Sequence, residues 1–260
     1  MKLNEVMTVL EKVAPVSLSD EFCKKFGLYD NSGVIINCGN DIGGALFSLD
    51  LSINAVKKAI ECGYNLIVTH HPAIYGGISK IDLTGDQQSI AIAECLKHGI
   101  SVISMHLNFD AAPHGIDYHL MRGLGGSEAE ILAPVYGGGY GRFYSVKSEN
   151  FSEFTENVKK TFNSDRVLSY GEDRRIKAVA SFCGAGCDEK AIAFAVRNGA
   201  DVFVSSDLKH HEIAALLGRG INVIQLTHYC AESYGFQKIY SEISKDLSVP
   251  TAYFCDAELM

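Results

Sequence analysis

The stretch GYNLIVTHHPAIYGG, residues 63–77, decides how the rest of the chain is read: a short apolar, β-branched run ends in two adjacent histidines and is followed at once by Pro72. A run of this length bounded by turn residues reads as a buried strand. Six further runs have the same character: GVIINC (33–38), GALFSLD (44–50), SVISM (101–105), AVASFC (178–183), DVFVSS (201–206) and NVIQLT (222–227). Between them, INAVKKAIECG, QQSIAIAECLKHG, EKAIAFAVRNG and EIAALLGRG carry apolar residues at helical spacing, each closed by a glycine where a helix would stop. Strand–helix–strand alternation predicts an α/β fold with mostly parallel sheets flanked by helices.

Part of the pattern repeats. GYNLIVTHH (63–71) lies over GADVFVSSD (199–207), and GISVISMHLNFD (99–110) resembles GINVIQLTHYCAE (220–232), with a one-residue slip. Both members of the second pair end with a histidine followed four positions later by an acid, His106 with Asp110 and His228 with Glu232. Duplication and the general likeness of β-α-β units explain this equally well. The glycine-rich APVYGGGYGRFYSV suggests a boundary near residue 130. The expected division is a first α/β domain at 1–130, completed by 228–260, and a second at 131–227.

Composition limits the function classes. A chain of 260 residues, 47% hydrophobic and 21% charged, holds one or two domains. A formal net charge of -8 supplies no general field for nucleic acid or anionic membrane, so an anionic substrate needs a local positive centre such as a metal ion. The N-terminus MKLNEVMTVLEKVAPVS has no apolar core of signal-peptide type, and no run approaches the roughly 18 apolar residues of a membrane helix. A cytoplasmic address is expected. The eight cysteines lack paired zinc-knuckle spacing, and CGAGC (183–187) is one residue too long for a thioredoxin-type pair, which favours core packing over redox chemistry.

In parallel sheets, ligands bind beyond the carboxyl ends of the strands. There the chain places His70 and His71; His106, Asn108 and Asp110; Asp207, His210, His211 and Glu212; and His228 with Glu232. One histidine at a strand end is more often structural than a ligand, but four such sites shift the balance. Imidazole and carboxylate suit borderline divalent ions such as zinc, iron, manganese, cobalt or nickel. Adjacent histidines at a strand end that turns can serve two neighbouring ions. His228 and Glu232, four apart on a first helical turn, project from one face.

The motifs YDNSG (29–33), LDLS (49–52), VTHHPAIY (68–75), HLNFDAAPHGIDYHL (106–120), GYGRF (139–143), CGAG (183–186), SSDLKHHE (205–212) and THYCAES (227–233) resemble, in order and over nearly the whole chain, those of the NIF-three-like dinuclear-metal family. Its members are often labelled GTP cyclohydrolase 1 type 2 homologues. The resemblance implies two α/β domains of similar fold with a two-metal site between them, and homohexamers. It makes His70, His71, Asp110, His228 and Glu232 the ligands of two divalent ions per chain, with Asp110 and Glu232 as bridging candidates. It places His106 and His211 as site-lining candidates for catalysis. SSD stands where Thr-Gly-Asp or Thr-Gly-Glu is usual, which leaves the role of Asp207 open.

A two-metal site makes hydrolysis the expected reaction class, either ring opening of GTP or cleavage of a nucleotide or phosphoester. CGAG could offer backbone N–H groups to a phosphate, but it lacks the lysine of a P-loop and reads more readily as a tight turn. The rival expectation is a metal-stabilised scaffold whose function is partner binding. No second motif marks a nucleotide, and neither a membrane nor a nucleic-acid partner is expected.

Overall fold

The computed structural model describes residues 1–256 and 259. In chain order its elements are α1 (Leu3–Val13), α2 (Val16–Phe26), β1 (Gly33–Ile36), β2 (Ala45–Ser48), α3 (Ile53–Cys62), β3 (Leu66–Thr69), α4 (Gln87–Lys97), β4 (Ser101–Ser104) and α5 (Leu107–Ala111). There follow α6 (Ile116–Gly123), β5 (Glu130–Val135), β6 (Gly138–Asn150), α7 (Phe151–Phe162), β7 (Leu168–Tyr170), β8 (Arg175–Ser181), α8 (Glu189–Asn198), β9 (Val202–Ser206), α9 (His210–Leu217), β10 (Asn222–Leu226), α10 (His228–Ile243) and β11 (Thr251–Phe254). The chain forms two α/β units. The first is Met1–Ala112 with Phe236–Asp256, and the second is mainly Pro113–Gly235.

The first unit is built on a sheet ordered β1-β4-β3-β2-β11. The β4, β3, β2 and β11 pairings are parallel, and only β1 runs antiparallel, against β4. β2, β3 and β4 are buried at every position, which is why they read as unbroken apolar runs. Leu46, Ile67 and Val102 from these strands pack with Val56 and Ala59 of α3 and Ile92 and Cys95 of α4. Local chemistry sets the helix ends: the Ser52 and Asp86 side chains accept from Ala55 N and Ser89 N at the starts of α3 and α4, and Gly63 closes α3 at φ 69°.

The second unit departs from the expected parallel sheet. Its order is β5-β6-β8-β9-β10-β7, and only β8–β9 and β9–β10 are parallel. Part of the cause lies in the segment read as a domain boundary. APVYGGGYGR is a hairpin in which Val135 pairs with Gly138 while Tyr136 and Gly137 turn at φ 30° and 75°. Two successive positive φ angles match the strand twist, so glycine here joins antiparallel strands instead of separating domains. The chain divides after residue 112 and again after residue 235, against the 130 and 228 expected.

The repeat read from sequence is structural. β3-α4-β4 and β9-α9-β10 are matching β-α-β units, each with parallel strands, and each delivers its polar residues just past the carboxyl ends.

Candidate metal centre

In the first unit the chain turns sharply after β3. His70 N and His71 N both donate to Leu49 O, at 3.1 and 2.9 Å, so neither histidine continues the ladder. Thr69 Oγ1 donates to His71 O at 2.8 Å, and Ala73 N donates to Ser104 Oγ at 3.0 Å, which fixes the turn that Pro72 requires. The adjacent rings sit 5.0 Å apart, tilted by 44°. His70 is fully buried and donates from Nδ1 to Met105 O at 2.9 Å. His71 Nδ1 donates to Asp50 Oδ1 at 2.6 Å.

β4 delivers the other half of this cluster. His106 stands 5.2 Å from the His70 ring, and its Nδ1 donates to Asp30 Oδ1 at 2.7 Å. Asp110, buried on α5, approaches His70 Nε2 at 3.5 Å. Ligand atoms of His70, His106 and Asp110 all lie within 4.8 Å of one another. Burial alone would raise the Asp30 carboxyl, but hydrogen bonds from His106, Ser19 and Ser32 hold it well below the carboxylate range. Burial likewise pulls His106 down, and the bond to Asp30 with the charges of Asp110 and Asp30 outweighs it, so its pKa stands above the ordinary value.

In the second unit, His228 opens α10 and Glu232 follows one turn later, buried, with Oε2 at 3.1 Å from His228 Nε2. His228 Nδ1 donates to Asp207 Oδ2 at 2.6 Å. Asp207 takes a left-handed backbone at φ 53°, a conformation Asp tolerates better than most residues. The CGAG turn cradles the carboxylate: a Cβ on Gly184 (φ 57°) would lie 2.4 Å from Glu232 Oε1. Gly184 O accepts from Ser206 Oγ at 2.7 Å and Ser205 Oγ at 3.1 Å. The turn is anchored by buried Asp117, which accepts from Cys183 N at 3.1 Å and Gly141 N at 3.0 Å and pairs with Arg142 Nε at 3.0 Å. The Cys183 amide is thus committed to Asp117, and CGAG acts as a tight turn. Burial pushes the Cys187 thiol up to about 12, which disfavours a thiolate at that residue.

The donor set fits a divalent ion. With the Nδ1 proton given to oxygen, Nε2 of a neutral ring presents a lone pair, and a lone pair facing a carboxylate is repulsive unless a cation joins them. Nε2–carboxylate separations of 3.5 Å at His70–Asp110 and 3.1 Å at His228–Glu232 match that arrangement. Two ligands of one tetrahedral ion, each at about 2.1 Å, stand roughly 3.4 Å apart.

The structure therefore brings His70, His71, His106 and Asp110 together in the first unit and His228 with Glu232 in the second. The groups of possible metal ligands among the described residues do not include His211. His211 lies exposed on α9, in an open cavity of about 630 Å³ lined with Asp188, Glu212, Arg197 and Arg219. Glu212, from the same KHHE run, caps its helix by accepting from Lys209 N at 2.7 Å. Sequence reasoning missed Asp30, Asp50 and Asp117. The first two stand in the YDNSG and LDLS motifs, where only strand register reveals which imidazole each meets.

The sequence profile of the family described as Duf34/NIF3 (NGG1p interacting factor 3) matches residues 1–256. A protein of Clostridium perfringens named GTP cyclohydrolase 1 type 2 homolog is 27% identical, over 99% of this chain and 97% of its own. Among solved structures, a Staphylococcus aureus protein superposes with a TM-score of 0.85 at 25% identity, covering 100% of this chain and 98% of that one. A Bacillus cereus protein related to NIF3 gives 0.83 at 20% identity, covering 96% of each chain.

Proposed function

From the Duf34/NIF3 family, to which this chain belongs, and from the ligand geometry, we propose a divalent-metal-dependent hydrolase with His70, His71, Asp110, His228 and Glu232 as the ligands of two ions. The observation that carries the reading is the repeated pairing of an Nε2 with a carboxylate at coordination spacing, 3.5 and 3.1 Å. Two bound ions supply an activated water near neutral pH and offset negative charge on the attacked group. Asp110 and Glu232, both buried, are the carboxylates able to bridge. His106, fixed through Nδ1 by Asp30, is the candidate to hold a proton at Nε2.

The substrate class is a nucleotide or phosphoester, with GTP ring opening as the specific form that relatives' names suggest. Five ligands do not saturate two ions, which favours an open, catalytic site over a closed, structural one. The second reading, a metal-stabilised scaffold for protein partners, is favoured by the words of the family's description, NGG1p interacting factor 3.

Asp110→Ala separates the two. The enzyme reading expects loss of metal-dependent turnover with native circular dichroism. Absence of turnover in the wild type across nucleotides and phosphoesters, with undiminished partner binding by the variant, supports the scaffold.

A homohexamer belongs to the same proposal. Leu28, Tyr29, Tyr75, Ile78, Ile81 and Leu83 of the first unit are each 45–62% exposed, and Tyr29 and Tyr75 stack edge to face, an apolar surface suited to a copy of the chain. Light scattering should return about six chain masses. Monomer alone at micromolar concentration would remove this element. No helix among the described residues is long and apolar enough to cross a membrane.

A further inference from the structure

We propose that Asp50 and Asp207 are positioning residues: each bonds Nδ1 of one histidine, His71 and His228 respectively, and thereby makes Nε2 the nitrogen offered to a divalent ion. The inference rests on the metal-binding reading above and deepens it. An imidazole has two possible donor atoms, and the hydrogen bond made by one decides which is left for a metal.

Register explains how two loop acids reach their rings. Ser48 pairs with Thr69 in the parallel β2–β3 ladder, so Asp50 and His71 each stand two residues beyond that pair. Ser206 pairs with Leu226 in β9–β10, so Asp207 and Thr227 follow directly and His228 comes next. In the second case the chain adopts a left-handed residue just past the strand, and the Asp207–His228 bond is 2.6 Å, the same length as Asp50–His71. His70 does the same work with a main-chain acceptor, Met105 O, at 2.9 Å. Three ligand imidazoles thus present Nε2, by two different chemical routes.

A purely structural role predicts something else. The Asp50 and Asp207 side chains are 39% and 52% exposed, and hydrogen-bonded pairs so open to solvent contribute little to folding. Loss of a metal ligand's hydrogen-bonding partner instead weakens metal binding by about 10–100-fold.

The test uses the full chain with Zn²⁺ or Mn²⁺ alone, titrated against a chelator of known affinity. Asp50→Ala and Asp207→Ala should bind about 10–100-fold more weakly with unchanged circular dichroism and melting. Asp50→Asn and Asp207→Asn should recover most of the loss, because the amide oxygen accepts the same Nδ1–H. Nitrogen-15 spectra of the metal-free protein should show His71 and His228 as Nδ1–H tautomers in the wild type, and mixed tautomers in the Ala variants. Wild-type affinity retained by both Ala variants overturns the inference, as does an Nε2–H tautomer in the wild type. A wild type that binds no metal overturns the functional reading, while the spectra still decide whether the two aspartates set the tautomers.

Discussion

The carboxyl ends of β3–β4 in the first unit and β9–β10 in the second are two versions of one β-α-β plan, and they fix their chemistry differently. In the first, two of the three imidazoles are held tightly: His70 is fully buried on a main-chain carbonyl, and His106 is tied to an Asp30 that is itself bound by Ser19 and Ser32, while His71 rests on the partly exposed Asp50. In the second, His228 is half-exposed on an exposed Asp207, and the carboxylate is the fixed partner, with Glu232 against Gly184 on a turn anchored by Asp117. The difference teaches that a repeat can keep the placement of imidazole and carboxylate while moving much of the rigidity from ring to carboxylate.

The strongest way to break this comparison is to remove the anchor of the second region. Asp117→Ala leaves Arg142 and two buried amides without their acceptor, and breaking a buried pair costs about 3–5 kcal/mol. Urea denaturation should show a loss of that order. A loss below about 1 kcal/mol, the scale of exposed pairs, would mean Asp117 is not the anchor.

A smaller effect sharpens the same point. Gly184→Ala forces a side chain into a left-handed backbone, at about 1–2 kcal/mol, and drives its Cβ onto Glu232. The variant should fold with modestly lower stability yet lose metal affinity. Unchanged affinity would show that the glycine cradle does not position the carboxylate.

The pH dependence of the metal-free protein probes the first region. The Asp30 pKa is depressed on folding, so its contribution exists above the ordinary carboxylate value, about 4, and is lost as pH falls through the lower folded value. The His106 pKa is raised, so its contribution is complete below about 6.5 and is lost as pH rises through the raised folded value. The stability difference between wild type and Asp30→Asn should therefore be greatest between about pH 4 and 6.5. A difference independent of pH would show that the pair is not ionic.

Most of the fold was legible because buried parallel strands read as unbroken apolar runs: all seven runs singled out are strands, six of them with a parallel neighbour and only β1 an antiparallel edge, and GYNLIVTHH and GADVFVSSD do occupy equivalent places. The antiparallel half of the second sheet was not legible, since Tyr136–Gly137 looks like linker chemistry until Val135 is seen to pair with Gly138. At the site, histidines at strand ends announce themselves by type and position. Their partners do not: Asp30 is 76 residues from His106, and nothing local in YDNSG indicates which imidazole it meets. His211 stands in a histidine-rich run whose helix places it on an open cavity with Asp188, Arg197 and Arg219.

The central claim is that both regions supply ligands to divalent ions, and metal content measures it most directly. Elemental analysis of protein loaded with Zn²⁺ or Mn²⁺ and then desalted should return two ions per chain for the wild type. His71→Ala, from the first region, and Glu232→Ala, from the second, should each retain fewer, with native circular dichroism. A wild type without bound metal, or unchanged content in both folded variants, would contradict the account.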